Sequence, residues 1–316
     1  MKSICLVVPY FGQWPRHVNL YLETCRYNPT IDWLFFADCV MPNDVSQNIK
    51  FFKMDLQIFN SLASKKLGLK INLKNVYKLC DFRPAYGIIF EDYLNEYDFW
   101  GYADIDVIYG DIRRFLTDDI LGTYDIISAR KEFLAGHFTL YRNCDRINRL
   151  YEKATRYKMV FSDVEKHYSF DECGGQWHRL FLLSDESIKR SKIKRIKFSM
   201  YKVWWFLKRI HRYVFDATRK VEDMTECVKR LEKKGEVKSL FRTIAREDVE
   251  YRHRKIDNWK LRWDKGKLMD TQTGDELMYF HLMWLKTIKQ FTIPQWHRVP
   301  ESFFIGREGF SESKDG

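Results

Sequence analysis

The segment YDFWGYADIDVIYGDI, residues 97–112, combines the apolar run of a buried strand with three aspartates, Asp104, Asp106 and Asp111. Asp104 and Asp106 are two residues apart, so on a strand both carboxylates point to one face while Ile105 points to the other. Two buried carboxylates so close together raise each other's pKa unless a cation neutralises them. A hard divalent ion is the usual cation, and Mg²⁺ or Mn²⁺ typically completes its shell with waters and substrate phosphates. The spacing therefore predicts a metal site at the end of this strand.

A simpler interpretation is that these acids form turns or helix caps where the strand passes into a loop. The apolar run before Asp104 is too hydrophobic for a surface loop, which favours the metal site. Asp111 is different, because it lies well beyond Asp106 and directly follows Gly110. We predict that Asp111 is a turn or cap residue.

On either side of this segment, short apolar runs alternate with stretches of helical spacing. The strand candidates are ICLVV (4–8), DWLFFAD (32–38), YDIISAR (124–130) and FTLYRN (138–143), and the helix candidates are residues 18–25, 55–66 and 78–94. Pro84 falls near the first turn of the last helix, where a missing N–H is tolerated. The alternation predicts an α/β fold with a doubly wound, mostly parallel sheet flanked by helices, and ligands beyond the carboxyl ends of its strands.

The net charge of +11 is concentrated in residues 188–220, which hold twelve Lys or Arg and a single acid, Asp216. Apolar residues recur at steps of three and four over residues 193–231, which predicts a long basic amphipathic helix, or two in register, ending near Gly235. Trp and Tyr interleaved with basic residues favour contact with an anionic membrane surface. The alternatives for this helix are packing on the rest of the protein and a homodimer through residues 193–231.

Neither secretion nor a membrane span is favoured by the sequence. The apolar run before Pro9 is too short for a signal peptide, and no apolar run is long enough to cross a bilayer. The seven cysteines are scattered and lack the paired spacing of a zinc site, which is typical of reduced, mostly buried thiols. We therefore expect a cytoplasmic protein that contacts the inner face of the membrane peripherally through the basic helix.

These patterns divide the chain into residues 1–185, an α/β core, residues 186–250, the basic helical segment, and residues 251–316, which complete the core. The last part contains WKLRWDKGKLMD (259–270), which predicts a hairpin around Asp264–Gly266. We expect the tail SESKDG (311–316) to fray.

Seven motifs together resemble those of nucleotide-sugar-dependent glycosyltransferases of the GT-A fold, and among these the bacterial transferases that build capsule and surface polysaccharides. They are PYFGQWP (9–15), FFAD (35–38), KLCDFRPAYG (78–87), WGYADIDVIYGD (100–111), AGHFTLYRN (135–143), SFDE (169–172) and FHLMWLK (280–286). In this order they cover most of the chain except residues 186–250. The resemblance implies a GT-A-like sheet, a nucleoside-diphosphate sugar as donor and a glycan or lipid-linked acceptor.

The resemblance also implies a metal site. Asp104 and Asp106 correspond to the family's Asp-x-Asp pair, with Asp104 also close to the donor, and His281 corresponds to a third ligand. An imidazole suits Mn²⁺ better than Mg²⁺. Lys286 would then meet the leaving diphosphate. The alternatives are a core histidine at position 281 and an ordinary exposed lysine at 286.

The donor contacts implied by the resemblance lie on two loops. Residues Pro9, Tyr10, Phe11 and Gly12 with Asp38 would hold the nucleotide, through stacking on Tyr10 or Phe11 and a hydrogen bond to Asp38. The alternative for this loop is a simple turn. Asp81 and Arg83 correspond to donor-sugar contacts, although the family more commonly has Lys at the second position, and Arg and Lys differ in geometry.

Glycosyl transfer in inverting enzymes requires a carboxylate that removes the proton of the acceptor hydroxyl. Asp171 and Glu172 are the two candidates, and the alternative is that they cap a helix running into residues 173–181. Gly136 and His137 would lie on the acceptor side, or His137 would be structural.

The sequence thus predicts a metal-dependent glycosyltransferase of surface-polysaccharide synthesis. A nucleic-acid-binding protein acting through residues 188–220 is the alternative from another class, weakened because the remainder of the chain is neutral. A sugar-binding scaffold that has lost turnover is a third.

Overall fold

The computed structural model describes residues 1–42, 45–174, 221–254, 256 and 258–313, and within them the chain forms a mixed α/β fold. The strands are β1 (Ile4–Tyr10), β2 (Ile31–Ala37), β3 (Ile49–Lys53), β4 (Phe99–Ala103), β5 (Val107–Tyr109), β6 (Ile126–Ser128), β7 (Phe138–Arg142), β8 (Ser239–Phe241), β9 (Ala245–Glu247), β10 (Lys260–Asp264), β11 (Lys267–Asp270), β12 (Glu276–Leu277), β13 (Tyr279–His281), β14 (Ser302–Gly306) and β15 (Gly309–Glu312). The α-helices are α1 (Val18–Arg26), α2 (Leu56–Leu67), α3 (Tyr86–Ile89), α4 (Ile112–Phe115), α5 (Asp118–Thr123), α6 (Asp145–Asn148), α7 (Tyr157–Ser162), α8 (Met224–Lys233) and α9 (Asp248–Arg254). Within the described residues, 3₁₀ helices cover Val76–Ala85, Glu91–Tyr93, Leu150–Lys153 and Leu285–Thr287.

The main sheet has seven strands in the order β3-β2-β1-β4-β7-β6-β8. The pairs β3–β2, β2–β1, β1–β4 and β6–β8 are parallel, whereas β7 runs antiparallel to both β4 and β6. The predicted α/β fold with a mostly parallel sheet is therefore confirmed. Strands β1 and β2 read as continuous apolar runs because both faces of the sheet are covered, as parallel sheets require.

The acidic segment does not form the single strand that its composition predicts. Strand β4 ends at Ala103 in the main sheet, and β5 begins at Val107 in a separate three-stranded sheet of order β5-β13-β9. Asp104 and Asp106 lie in the bend between the two strands. The prediction that both carboxylates point to one face of a single strand was wrong, because the chain changes sheets here. Asp111 caps α4, its carboxylate accepting the N–H of Arg114, as predicted.

The prediction of one continuous helix over residues 78–94 is also wrong. The chain instead makes the 3₁₀ helix Val76–Ala85, the single turn α3 and the short 3₁₀ helix Glu91–Tyr93. Pro84 lies inside the first of these and not near its start, and a proline there removes an N–H that a continuous α-helix would need. Strand β3 was not predicted.

The C-terminal part forms a five-stranded antiparallel sheet of order β12-β11-β10-β14-β15. The hairpin predicted around Asp264–Gly266 is confirmed as β10 and β11, and both turn residues, Lys265 and Gly266, have positive φ. The prediction of a frayed tail was wrong for residues 311 and 312, which belong to β15 and pair with β14.

The basic helix predicted over residues 188–220 lies outside the described residues. Of the two forms predicted for residues 193–231, the single unbroken helix is wrong, because residues 221–223 are not helical and Asp223 caps a new helix, α8. Met224, Val228 and Leu231 of α8 are buried in the core beside the main sheet, so this part of the apolar stripe is covered within the chain. Gly235 follows α8 with a positive φ, as expected of a helix-ending glycine. The division at residues 185 and 186 stays a prediction.

Two further features bear on the predictions. The seven cysteines all lie among the described residues; none of them forms a disulfide, and four of them are buried. Among the described helices, none combines the length and the apolar character that crossing a membrane requires.

Candidate active site

A cavity of about 550 Å³ lies at the carboxyl ends of β1 and β4. Parallel pairing places the ends of these strands at one edge of the sheet, and antiparallel β7 brings its first residues to the same edge. Eleven of the predicted site residues line the cavity: Pro9, Tyr10, Phe11, Arg83, Asp104, Asp106, His137, Asp171, Glu172, His281 and Lys286. The sheet topology thus gathers residues that are spread over most of the chain.

The two acids and His281 form a compact group of oxygen and nitrogen ligands. One ligand atom from each of Asp104, Asp106 and His281 lies within 4.8 Å of the other two. The Nε2 atom of His281 is 3.4 Å from Oδ2 of Asp106, and the backbone oxygen of Asp106 accepts the N–H of Leu282 at 2.8 Å. Strand β13 therefore anchors both the histidine and the bend that carries the acids.

This donor set fits a divalent ion. Two carboxylates and an imidazole are ligands that Mn²⁺ accepts readily. His281 and Asp106 are almost fully buried, whereas the Asp104 side chain keeps 27% of its surface exposed within the lining of the cavity. An ion held here would complete its shell on the open side with water or phosphate oxygens.

Two cationic side chains pair with the acids. Arg83 donates to Asp104 through Nη2, and Lys286 donates to Asp106 through Nζ. Burial would raise the pKa of Asp106, but His281 and Lys286 outweigh it and hold that pKa far below its usual range. Although burial opposes it, Asp106 raises the pKa of His281 to about 9. The site therefore places two cationic side chains and an imidazole against the two acids.

Asp171 and Glu172 are adjacent in the chain but have different partners. Asp171 accepts a hydrogen bond from Arg83 Nη1 at 2.9 Å, so Arg83 bridges it to Asp104. Glu172 accepts the backbone N–H of Gly136 at 2.8 Å, and burial raises its pKa to about 7. Of the two, Glu172 has the protonation behaviour expected of a general base near neutral pH.

Gly136 and His137 are both close to the site but differ in role. A Cβ atom at Gly136 would lie 2.5 Å from Oε1 of Glu172 and 2.8 Å from Nη1 of Arg83, so a side chain there would displace both groups. His137 lines the cavity, yet its two ring nitrogens are occupied by Tyr279 at 2.5 Å and Glu247 at 3.0 Å. The structural alternative for His137 is thus favoured by its contacts.

The predicted nucleotide loop is braced by its own side chains. Strand β1 extends through Pro9 to Tyr10, and the Tyr10 ring stacks on Trp14 with 5.1 Å between ring centroids. Phe11 is buried in the core, so Tyr10 is the more accessible of the two predicted stacking rings. Gly12 donates its N–H to the exposed Asp38 at 2.7 Å, and neither residue lines the cavity.

Asp81 is not brought into the cavity. Its carboxylate is fully buried, pairs with Lys78 at 2.8 Å and accepts the N–H groups of Tyr168 and Phe170 at 2.9 Å. The prediction of a direct donor-sugar contact is therefore not supported by its position. Asp81 instead fixes the segment that leads into Asp171.

Sequence reasoning missed several cavity residues, including Glu247, Tyr77 and two further histidines. His17 and His167 join His137 and His281, so four of the eight histidines in the chain line one cavity. That unequal distribution cannot be seen before the fold is known. Glu247 belongs to none of the sequence motifs, and only the pairing of β9 with β13 places it beside His281.

A family model matches residues 6–314, almost the full length of the chain. The chain belongs to the DUF6625 family. This is described as a family of unknown function, so membership assigns no activity. The DUF6625 match includes every cavity residue named above. No protein among the curated sequences matches the chain.

Solved structures of glycosyltransferases show a distant similarity. The galactosyltransferase LgtC, in complex with donor and acceptor sugar analogues, is 12% identical over 51% of this chain and 66% of that chain, with a TM-score of 0.32. The apo-form of the glycosyltransferase GlyE from Streptococcus pneumoniae TIGR4 is 13% identical over 76% of this chain and 45% of that chain, with a TM-score of 0.29. The alignments thus span less than two thirds of either relative. Scores this low establish no shared activity, so function has to be inferred from the site.

Proposed function

We propose that this chain is a metal-dependent glycosyltransferase that moves a sugar from a nucleoside-diphosphate sugar to a hydroxyl of a glycan or lipid-linked acceptor. The observation that carries the proposal is the convergence, in one cavity, of a three-residue metal-ligand group, two cations and a buried carboxylate with a raised pKa. Each of these serves a different part of the same reaction.

The donor end of the cavity suits a diphosphate. Asp104, Asp106 and His281 would hold Mn²⁺ or Mg²⁺, and when bound this ion supplies a Lewis acid that neutralises the charge of the leaving diphosphate. Lys286 and Arg83 lie against the same acids and offer charged donors for phosphate oxygens. The loop from Pro9 to Phe11 borders the cavity and offers Tyr10 as a partner for the base.

The acceptor end suits deprotonation of a hydroxyl. In the transfer, the acceptor oxygen forms a bond to the anomeric carbon while the bond from that carbon to the diphosphate oxygen breaks. The hydroxyl proton passes to Glu172, and the diphosphate leaves with the electron pair of the broken bond. A carboxylate whose pKa is about 7 is well matched to accept this proton near neutral pH. Arg83 and Gly136 hold the neighbouring Asp171 and Glu172 in place.

A role in surface-polysaccharide synthesis, with Mn²⁺ as the ion and the basic segment 188–220 on an anionic membrane surface, is the more specific form of this proposal. Its support is the sequence resemblance and the concentration of charge in that segment. Growing surface glycans are commonly lipid-linked, so a basic and aromatic surface would bring the enzyme to its acceptor.

The experiment is a screen of nucleotide-sugar hydrolysis with Mn²⁺, using a panel of common nucleotides and sugars. Glycosyltransferases transfer sugar slowly to water when no acceptor is present, so the expected result is Mn²⁺-dependent release of one nucleoside diphosphate. Release that continues unchanged in EDTA would contradict metal dependence. Binding of a nucleotide sugar with no turnover on any acceptor would favour the inactive scaffold.

A further inference from the structure

Strand register in the three-stranded sheet β5-β13-β9 places three side chains in a row. His281 pairs with Val107 of β5 on one side and with Glu247 of β9 on the other. Asp106 directly precedes Val107. The pairing of β5, β13 and β9 therefore sets the order Asp106, His281, Glu247, with Asp106 in the bend directly before β5.

The imidazole of His281 lies between the two carboxylates. Its Nε2 atom is 3.4 Å from Asp106 Oδ2, and its Nδ1 atom is 3.9 Å from Glu247 Oε2. The Nδ1 atom is buried and makes no hydrogen bond within the described part of the chain. The Glu247 carboxylate is thus the negative charge that faces the side of the ring turned away from the metal ligands.

Glu247 is held rigidly by groups that take no part in the proposed transfer. Its Oε1 atom accepts the Nε2–H of His137 at 3.0 Å and lies 3.6 Å from Nη1 of Arg130. Because a carboxylate only accepts, His137 carries its proton on Nε2, and its Nδ1 accepts the hydroxyl of Tyr279. The Glu247 side chain is buried, and because His137 and Arg130 engage Oε1, Oε2 is the oxygen that lies beside His281.

We propose that Glu247 is a positioning residue that sets the tautomer of His281. Its negative charge beside Nδ1 stabilises a proton on that atom, so Nε2 is the ring nitrogen that would give up its proton and offer its lone pair to a metal ion. Carboxylates behind metal-binding histidines commonly act in this way, and their loss typically weakens metal affinity roughly 10- to 100-fold. This inference rests on the proposed function insofar as His281 binds a metal ion.

The test compares Glu247→Gln with Glu250→Gln in the full chain. Glu250 is a carboxylate of the same ion cluster, 2.6 Å from Arg130 Nη1, so its loss controls for disturbance of that cluster. Titration with Mn²⁺ alone, followed by electron paramagnetic resonance, gives the dissociation constant of each variant. We expect a roughly 10- to 100-fold weaker affinity for Glu247→Gln and a change under about threefold for Glu250→Gln. Equal losses in the two variants, or no loss in Glu247→Gln, would overturn the inference.

A second measurement needs no variant and remains decisive if Glu247→Gln does not fold. Nitrogen NMR of protein labelled in its histidines, loaded with Cd²⁺ as a diamagnetic substitute, reports which ring nitrogen of His281 carries the proton. The expected spectrum has the proton on Nδ1 and the ion on Nε2. The opposite tautomer would overturn the inference and leave the metal site intact. Absence of any Mn²⁺ or Cd²⁺ binding by the unaltered protein would overturn the inference together with the proposed metal dependence.

Discussion

Lys78→Met removes the cation from an ion pair whose two side chains have no exposed surface. Asp81 would then be a buried carboxylate whose remaining partners include the N–H groups of Tyr168 and Phe170. Breaking a buried pair by removing one partner costs about 3–5 kcal/mol of the free energy of unfolding. Because two N–H donors remain and methionine fills much of the lysine's volume, we expect the lower end, about 3 kcal/mol.

The matched control is Lys50→Met, which breaks a pair of nearly the same length, 2.7 Å, between Lys50 and Asp32. The Lys50 side chain is 46% exposed, so solvent screens this pair and its loss should cost less than about 1 kcal/mol. Urea denaturation followed by tryptophan fluorescence measures both variants against the unaltered protein. A loss for Lys78→Met no larger than that for Lys50→Met would refute the reasoning that burial makes the first pair important.

The same comparison bears on the proposed site. Asp81 holds the segment that leads into Asp171 and Glu172, so turnover should fall in Lys78→Met together with stability. If Asp81 instead contacted the donor directly, Asp81→Asn would raise the KM for the donor and leave the free energy of unfolding nearly unchanged.

Two further predictions concern the base and one helix cap. Gly136→Ala places a Cβ atom 2.5 Å from Oε1 of Glu172 and 2.8 Å from Nη1 of Arg83, so both side chains must move and we expect a roughly 100-fold lower turnover. Gly122→Ala, with no heavy atom within 4 Å of the new Cβ, should be indistinguishable from the unaltered protein. Equal rates for the two variants would contradict the placement of Glu172. Burial raises the pKa of Asp223 from 3.8 to about 7. The Asp223 carboxyl therefore binds a proton more tightly in the folded state than in the unfolded state. This contribution to the free energy of unfolding is fully present below pH 3.8 and is lost as pH rises through about 7. Urea midpoints of Asp223→Asn should therefore fall less than those of the unaltered protein between pH 5 and 8, and parallel curves would refute the assignment.

Local patterns predict the parts of this fold that depend on local physics. The continuous apolar runs of β1 and β2 predict strands, because a strand of a parallel sheet is covered on both faces. The hairpin at Lys265 and Gly266 and the cap at Asp111 follow from turn and cap chemistry within a few residues. These features need no knowledge of distant partners.

The errors arise where distant pairing decides the structure. The bend at Asp104 and Asp106 exists because β4 and β5 belong to different sheets, and no residue in the segment reveals that. Asp106 and His281 were nevertheless predicted to meet, through the resemblance to glycosyltransferases. Glu247 was missed because its importance depends only on the register of β9 against β13.

The most direct test of the central claim, that Asp104, Asp106 and His281 hold an ion that in turn holds a nucleoside diphosphate, is thermal unfolding with Mn²⁺ and each common nucleoside diphosphate. Binding to the folded state alone adds about 2.7 kcal/mol of stability at a ligand concentration 100 times the dissociation constant. We expect Mn²⁺ and one diphosphate together to raise Tm more than either alone. Asp106→Asn should abolish this metal-dependent rise, and Asp111→Asn, which alters the cap of α4 outside the cavity, should keep it. No rise with any diphosphate, or the same rise in Asp106→Asn, would contradict the claim.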